Sequence, residues 1–240
     1  MDLGLKDKVV IVTGGGAGIG GAISRCLAAE GAIPVIFARR APAEAVLSGI
    51  TALQPKAGWV QVDLSKDAEV RAAVAQAQSR WGRVYGLVNN AGTNDGIDLD
   101  AGPEAFRASL DQNLIHYYTL VHLLQGDLKA ERGAIVNVSS KTAVTGQGST
   151  SAYTAAKAAQ LGLTREWAAA FAPHGVRVNA VRPGIVDTEI HASGGQPDKA
   201  SLSAPQIPMQ RPGTADEVAQ AIVWLMSPQA SYTTGALLDV

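Results

Sequence analysis

Tyr153 and Lys157 stand four residues apart in a stretch, Ser151–Phe171, whose apolar periodicity predicts a helix, so both side chains share one helical face. A phenol with an ordinary pKa of about 10 is a poor base at neutral pH, and an ammonium beside it stabilises the phenolate. Such a pair suits proton transfer in step with hydride transfer to or from an alcohol or carbonyl. Ser140, just past the preceding predicted strand, is placed to hydrogen-bond the reacting oxygen. Asn113, in the long helix after the fourth strand, is expected to hold a water beside Lys157 and complete a proton path. With five tyrosines in the chain, a Tyr-x3-Lys spacing arises by accident in roughly one sequence in six, so the pair draws its weight from its surroundings.

Hydride chemistry needs a carrier, and the first strand runs straight into Thr13-Gly14-Gly15-Gly16-Ala17-Gly18-Ile19-Gly20 with a helix following. Glycine there lets backbone turn tightly and approach a pyrophosphate whose charge the helix N-terminus favours. Two registers compete: Gly14, Gly18 and Gly20, or Gly16, Gly18 and Gly21. The first is preferred because it starts where the strand stops. At the end of strand two, where a carboxylate would accept both hydroxyls of an adenosine ribose, the chain has Ala38-Arg39-Arg40. Arginine in place of a carboxylate favours a 2′-phosphate, hence NADP(H), with Arg39 as the contact, while NAD(H) use stays open and a pair of solvated surface arginines is the plainer reading. Asp63-Leu64 closes strand three and suits either the adenine edge or a helix cap. Asn89-Asn90-Ala91-Gly92 closes strand four with small residues and amides that can steady the sheet and pass close under a cofactor.

These residues all fall at the carboxyl ends of short apolar runs. The strand candidates are Lys8–Thr13, Ile33–Ala38, Trp59–Asp63, Gly86–Asn89, Ala134–Ser139, Val176–Val181 and Ala236–Val240. Helical periodicity falls between them at Gly18–Glu30, Pro42–Leu53, Asp67–Trp81, Pro103–Lys129, Ser151–Phe171 and Thr214–Met226. Continuous apolar strands, each followed by a helix, predict one α/β domain over 1–240, a Rossmann-like doubly wound parallel sheet with helices on both faces. Ligands in such sheets bind beyond the strands' carboxyl ends. The Gly-, Pro-, Ser- and Gln-rich stretch at about 189–213 reads as a substrate lid.

Composition narrows the function classes. Net charge is −1 and the pI near 6.4, which gives no pull toward nucleic acid or anionic membrane. One cysteine, Cys26, forbids an intramolecular disulfide and suits a reducing compartment, and no apolar run reaches the ~18 residues of a membrane span, so a cytoplasmic protein is expected. His116, His122, His174 and His191 show no metal-ligand spacing and read as surface or packing residues, with His191 near enough to the lid to touch substrate. No metal is expected. Asn94, Thr142, Gln147 and Glu189, polar and adjacent to the positions above, are the candidate substrate contacts, and they suit a polyol better than an acyl chain or steroid.

Taken together, Thr13–Gly20, Asp63-Leu64, Asn89–Gly92, Asn113, Ser139-Ser140, Tyr153-x3-Lys157, and Arg177-Val178-Asn179 leading to Arg182-Pro183-Gly184 resemble the short-chain dehydrogenase/reductase family, in its order and spacing over nearly the whole chain. The resemblance implies a catalytic tetrad of Asn113, Ser140, Tyr153 and Lys157. It implies NAD(P) contacts at Gly14, Gly16, Gly18, Ile19, Gly20, Arg39, Asp63, Leu64, Asn89, Ala91, Gly92, Tyr153, Lys157, Pro183, Gly184 and Val186, with Lys157 at the nicotinamide ribose and Thr188 meeting the nicotinamide carboxamide. It also implies a homotetramer built through the long helices after strands four and five. The segment from about 90 to 167 is similar to sugar dehydrogenases of the L-fucose dehydrogenase type, through Asn94-Asp95-Gly96-Ile97, Asn113–Tyr118 and Ser140–Gly148. The stretches Glu189–Gly195 and Ile207–Arg211 are similar to an uncharacterised branch of bacterial reductases. The expected activity is oxidation of an aldose. A carbonyl or 3-oxoacyl reductase is the alternative, and a non-catalytic dinucleotide sensor the remote one.

Overall fold

The computed structural model of the protein describes residues 2–188 and 202–240. Seven strands form one parallel sheet: β1 (Val9–Thr13), β2 (Ile33–Ala38), β3 (Gly58–Gln61), β4 (Gly86–Asn89), β5 (Ala134–Val138), β6 (Arg177–Arg182) and β9 (Leu237–Asp239), in the order β3-β2-β1-β4-β5-β6-β9. The strand order reverses between β1 and β4, and the crevice outside that switch point is where an open α/β sheet takes its ligand. Strands β1, β4 and β5 are buried at every residue, which is why they read as unbroken apolar runs.

Helices cover both faces. One side packs Val70 and Val74 of α3 (Asp67–Trp81), Tyr117, Leu120, Leu124 and Leu128 of α5 (His116–Glu131), and Trp167 and Phe171 of α6 (Ser151–Phe171) against Ile11, Leu87 and Ile135. The opposite side packs Ile23 and Leu27 of α1 (Gly18–Ala29) and Ile222 and Met226 of α7 (Ala215–Met226) against Val10, Val88 and Val136. A capping box starts α7: Glu217 N–H donates to Thr214 Oγ1 at 3.2 Å while the Glu217 carboxylate accepts from Thr214 N–H at 2.8 Å. Two-residue strands β7 (Val186–Asp187) and β8 (Gly213–Thr214), absent from the sequence expectation, pair in parallel and bring together the ends of the segment between them.

The expected single helix over Pro103–Lys129 is instead two helices, α4 (Gly102–Leu110) and α5, joined by one π-helical turn at Asp111–Ile115. Asn113 sits in that turn. Its amide donates back to the Ser109 carbonyl at 3.0 Å, and its own carbonyl accepts from Gln160 Nε2 on α6 at 2.8 Å. Hydrogen bonds from outside the i→i−4 ladder are what let a helix widen by one residue, and such turns recur at functional sites. Of the stretch read as a lid, residues 189–201 lie outside the described residues, and Ala204–Gln206 forms a 3-10 turn.

Candidate active site

The floor of the site is made by the ends of β1 and β4. Thr13 Oγ1 donates to the Val88 carbonyl and accepts from the N–H groups of Asn90 and Ala91, at 2.8 and 2.9 Å. The Asn90 amide returns a 2.9 Å bond to the Thr13 carbonyl. This cross-lacing holds Ala91-Gly92 beside the glycine turn, so near that a Cβ on Gly14 would lie 3.3 Å from the Ala91 Cα. Asn89 is fully buried and donates to Asn137 Oδ1 at 3.0 Å, and Asn137 in turn donates to Thr164 on α6 at 2.9 Å. Asn89 therefore ties β4 to β5 and, through Asn137, to α6, and it offers no exposed side chain to a ligand.

The glycine turn has the form a pyrophosphate needs. Gly14 and Gly18 take positive φ, +64° and +50°, and a Cβ on Gly20 would sit 2.2 Å from the Gly14 carbonyl oxygen. Gly14, Gly18 and Gly20 are thus the positions of the turn where backbone conformation or close approach requires glycine. No side chain caps the N-terminus of α1, and no acidic residue lies in its first turn, which leaves its N–H groups and positive dipole end for an anion. Gly16 lies against Pro42, and Ile19 is half-buried beside the α1–α7 core. Thr188 approaches the turn, 3.8 Å from where a Gly18 Cβ would be. Pro183 and Val186 are buried, and Pro183 accepts the Lys141 N–H at 3.1 Å, while the exposed Gly184 donates to the Val240 carbonyl. The residues present fit a dinucleotide.

At the outer end of the crevice Arg39 is exposed and makes no ion pair among the described residues. Asp63 uses Oδ1 to accept from Ser65 N–H and Oγ at 3.1 and 2.8 Å, and these bonds hold its carboxyl below the usual range, with a smaller contribution from Lys66 and Arg39. Asp63 thus closes the turn at Ser65, while the N-cap of α3 is Lys66 and carries no side-chain cap. Leu64 packs against the core.

The side chains expected to handle protons converge from three elements. Ser140 follows β5, and its Oγ accepts from Thr142 N–H at 3.2 Å, which fixes the turn Lys141–Ala143. Ser139 Oγ bonds the Lys157 carbonyl at 2.8 Å and so pins α6 to the end of β5. Lys157 is 3% exposed. Its ammonium donates to the Val138 carbonyl at 2.7 Å, stands 3.4 Å from Tyr117 Oη, and lies 5.5 Å from the Tyr153 ring centre. Burial pushes Lys157 down to about 7.

Lys157 is expected to hold Tyr153 acidic, and burial acts on the phenol in the opposite direction. Burial raises the Tyr153 phenol above its ordinary value, the Ser140 hydroxyl opposes this, and the Asp95 carboxylate adds to it. A dry site penalises charge on both groups, so the phenol stays protonated here. Asn113 turns its carbonyl to the Gln160 amide and its Oδ1 to Thr93 N–H at 2.7 Å, and among the described residues the partners of the Lys157 ammonium are the Val138 main-chain carbonyl and Tyr117 Oη.

The substrate candidates separate. Thr142 is 5% exposed, with Oγ1 buried and unpartnered among the described residues beside Ser140. Asn94 turns its Oδ1 to Gly96 N–H at 3.3 Å, Gln147 is exposed on the β5–α6 loop, and Glu189 lies outside the described residues. Asp95, which the sequence reading passed over, is the residue of that loop whose charge reaches Tyr153. Tyr117, Gln160 and Asn137 were also missed, whereas His116, read as a surface or packing residue, is buried. The available signal was a polar residue inside an apolar strand or on the buried face of a helix, where only a specific role repays desolvation.

A family model described as Enoyl-(Acyl carrier protein) reductase matches residues 14–240. The uncharacterized oxidoreductase YgfF of Escherichia coli (strain K12) is 38% identical over 242 residues, spanning 97% of this chain and 98% of its own length. Among solved structures, Cj0485 dehydrogenase has a TM-score of 0.95 at 41% identity, covering all of this chain and 94% of that one. Aldohexose dehydrogenase of Thermoplasma acidophilum has a TM-score of 0.88 at 33% identity, covering 98% of this chain and 93% of that one. With the seven-stranded parallel sheet, the glycine turn and these full-length likenesses together, the chain belongs to the short-chain dehydrogenase/reductase family and is an oxidoreductase of alcohol and carbonyl groups.

Proposed function

We propose that the chain is an NAD(P)-dependent sugar dehydrogenase that oxidises an aldose of the L-fucose type at its anomeric carbon. The observation that carries this reading is the polar, anionic surroundings of Tyr153. The Asp95 carboxylate is near enough to raise its pKa. An aldose brings hydroxyl donors that can pair with this carboxylate, which an acyl chain cannot do. The likeness to an aldohexose dehydrogenase supports the same substrate class.

A bound nicotinamide would supply the acceptor for the hydride leaving the substrate carbon. Ser140 holds the substrate oxygen, and Tyr153 takes its proton at the phenolate oxygen. Burial opposes charge on Tyr153 and on Lys157, but a phenolate beside an ammonium costs less than either ion alone, so the working base is the ion pair. Arg39, exposed and without an ion pair among the described residues, supports a preference for NADP(H) with NAD(H) also accepted. Ile115 and Tyr118, exposed near the start of α5, support assembly of four copies through that helix.

A panel of aldoses and ketones, assayed with NADP+ and NAD+ for oxidation and with NADPH for reduction, tests the reading. Turnover of L-fucose-like aldoses is expected. Failure of every aldose together with reduction of a ketone would establish the second reading, a carbonyl or 3-oxoacyl reductase, which the exposed Leu99 and Val144 on the two loops flanking Tyr153 favour.

A further inference from the structure

Beneath the catalytic helix lies a sealed polar cluster that hydride transfer does not itself require. Tyr117 is fully buried at the start of α5, yet it carries a hydroxyl into the sheet. That hydroxyl lies 3.2 Å from the Val138 carbonyl, 3.4 Å from Lys157 Nζ, and within hydrogen-bonding reach of the Gln160 side chain. A carbonyl can only accept, so the Tyr117 O–H must point at Val138. The lone pairs of Tyr117 Oη are thereby left for donors, and the donors beside it are the Lys157 ammonium and the Gln160 amide. Gln160 is itself fully buried and anchored by its bond to the Asn113 carbonyl in the π turn. A chain of contacts thus runs from the Asn113 carbonyl through Gln160 and Tyr117 to Lys157.

We propose that Tyr117, held by Val138 and Gln160, is the positioning residue for Lys157: its oxygen accepts from the buried ammonium and keeps that group charged and fixed for its work with Tyr153. A buried ammonium is sustained only by acceptors. Among the described residues no carboxylate pairs with it, and the Val138 carbonyl and Tyr117 Oη are the acceptors in reach. The Tyr117 ring adds its face, 5.7 Å from Nζ. The titratable groups around Lys157 are Tyr117 and His116 from α5 and Tyr153 from α6, with Asp95 reaching Tyr153 from the β4–α4 loop. His116 and Tyr117 stay uncharged at neutral pH, the first because burial pushes it down and the second because burial pushes it far up.

The proposal rests on the Tyr153–Lys157 reading of the site, and its test does not depend on knowing the substrate. In protein labelled with 13C at the lysine Cε, the Lys157 resonance, assigned by its loss in Lys157→Met, reports protonation of Nζ directly. Tyr117→Phe keeps the ring and removes one acceptor, so the Lys157 midpoint should fall by about one pH unit, a tenfold loss of proton affinity. Gln160→Met should shift it the same way by less, and the double variant should shift it no further than Tyr117→Phe alone. In catalysis, the low-pH limb of kcat/KM should overlay the wild type, because the protonated pair and the working pair both carry the ammonium. The plateau should fall about tenfold. An unmoved midpoint, or additive shifts in the double variant, overturns the proposal. If Tyr153→Phe retains activity while the midpoint moves as expected, the oxidoreductase assignment of the pair fails and the lysine cradle stands.

Discussion

Replacing His116 with leucine removes a buried imidazole that the fold holds with only weak backbone contacts. His116 is 1% exposed at the junction of the π turn and α5, neither ring nitrogen meets full hydrogen-bond geometry among the described residues, and the backbone of Asp111 and Ala91 opposes the fall in its pKa only in part. Burial, helped by the Lys157 charge, brings its pKa from 6.5 down to about 4. Between those values the unfolded chain binds a proton that the native chain refuses. Stability is therefore complete above pH 6.5, falls by about 1.4 kcal/mol per pH unit below it, and levels off below pH 4, an acid penalty of about 3 kcal/mol in full. Leucine has similar volume and no polar atom to strand, so the variant at pH 7.5 should lie within about 1 kcal/mol of wild type. Urea unfolding at pH 7.5 and 4.5 reads the difference. Carboxylates protonate in both proteins and cancel, and the wild type should lose about 2–3 kcal/mol more than His116→Leu between the two pH values. Parallel losses would refute the reasoning, as would a variant crippled at pH 7.5, which would mean that the imidazole makes a bond the fold depends on.

Four further outcomes follow from the site. Tyr153→Phe should keep dinucleotide affinity, measured by nucleotide fluorescence, and lose on the order of a thousandfold or more in kcat. Arg39→Ala should weaken NADP(H) about tenfold or more and NAD(H) hardly at all; equal effects would remove the case for a 2′-phosphate contact. Gly20→Ala places a methyl 2.2 Å from the Gly14 carbonyl oxygen and should cost about 2 kcal/mol or more, seen as a lowered Tm together with lost dinucleotide binding. Asp95→Asn removes a charge that raises Tyr153, so the rising limb of kcat against pH for alcohol oxidation should move to lower pH while KM for an aldose increases; an unchanged limb would show that the carboxylate does not act on the phenol.

The strands and helices were legible because their signals are local. An unbroken apolar run such as Val9–Val12 is buried on both faces, and the glycines after it sit where only glycine fits. Spacing alone put Tyr153 and Lys157 on one face, and the order of the motifs placed Ser140 beside them. The split of the long helix at Asn113 was not legible, since it is held by a glutamine on another helix, 47 residues along the chain.

Residue types along the chain therefore settled the layer architecture and the place of the glycine turn, because each depends on neighbours within a turn or a strand. Only the tertiary structure decided the charges. Whether Tyr153 is acidic or held protonated, whether Lys157 has a carboxylate or a phenol for company, and whether His116 can ionise all depend on how much water and which carbonyls surround each atom. Those surroundings are assembled from β4, β5, α5 and α6, and no window of sequence contains them together.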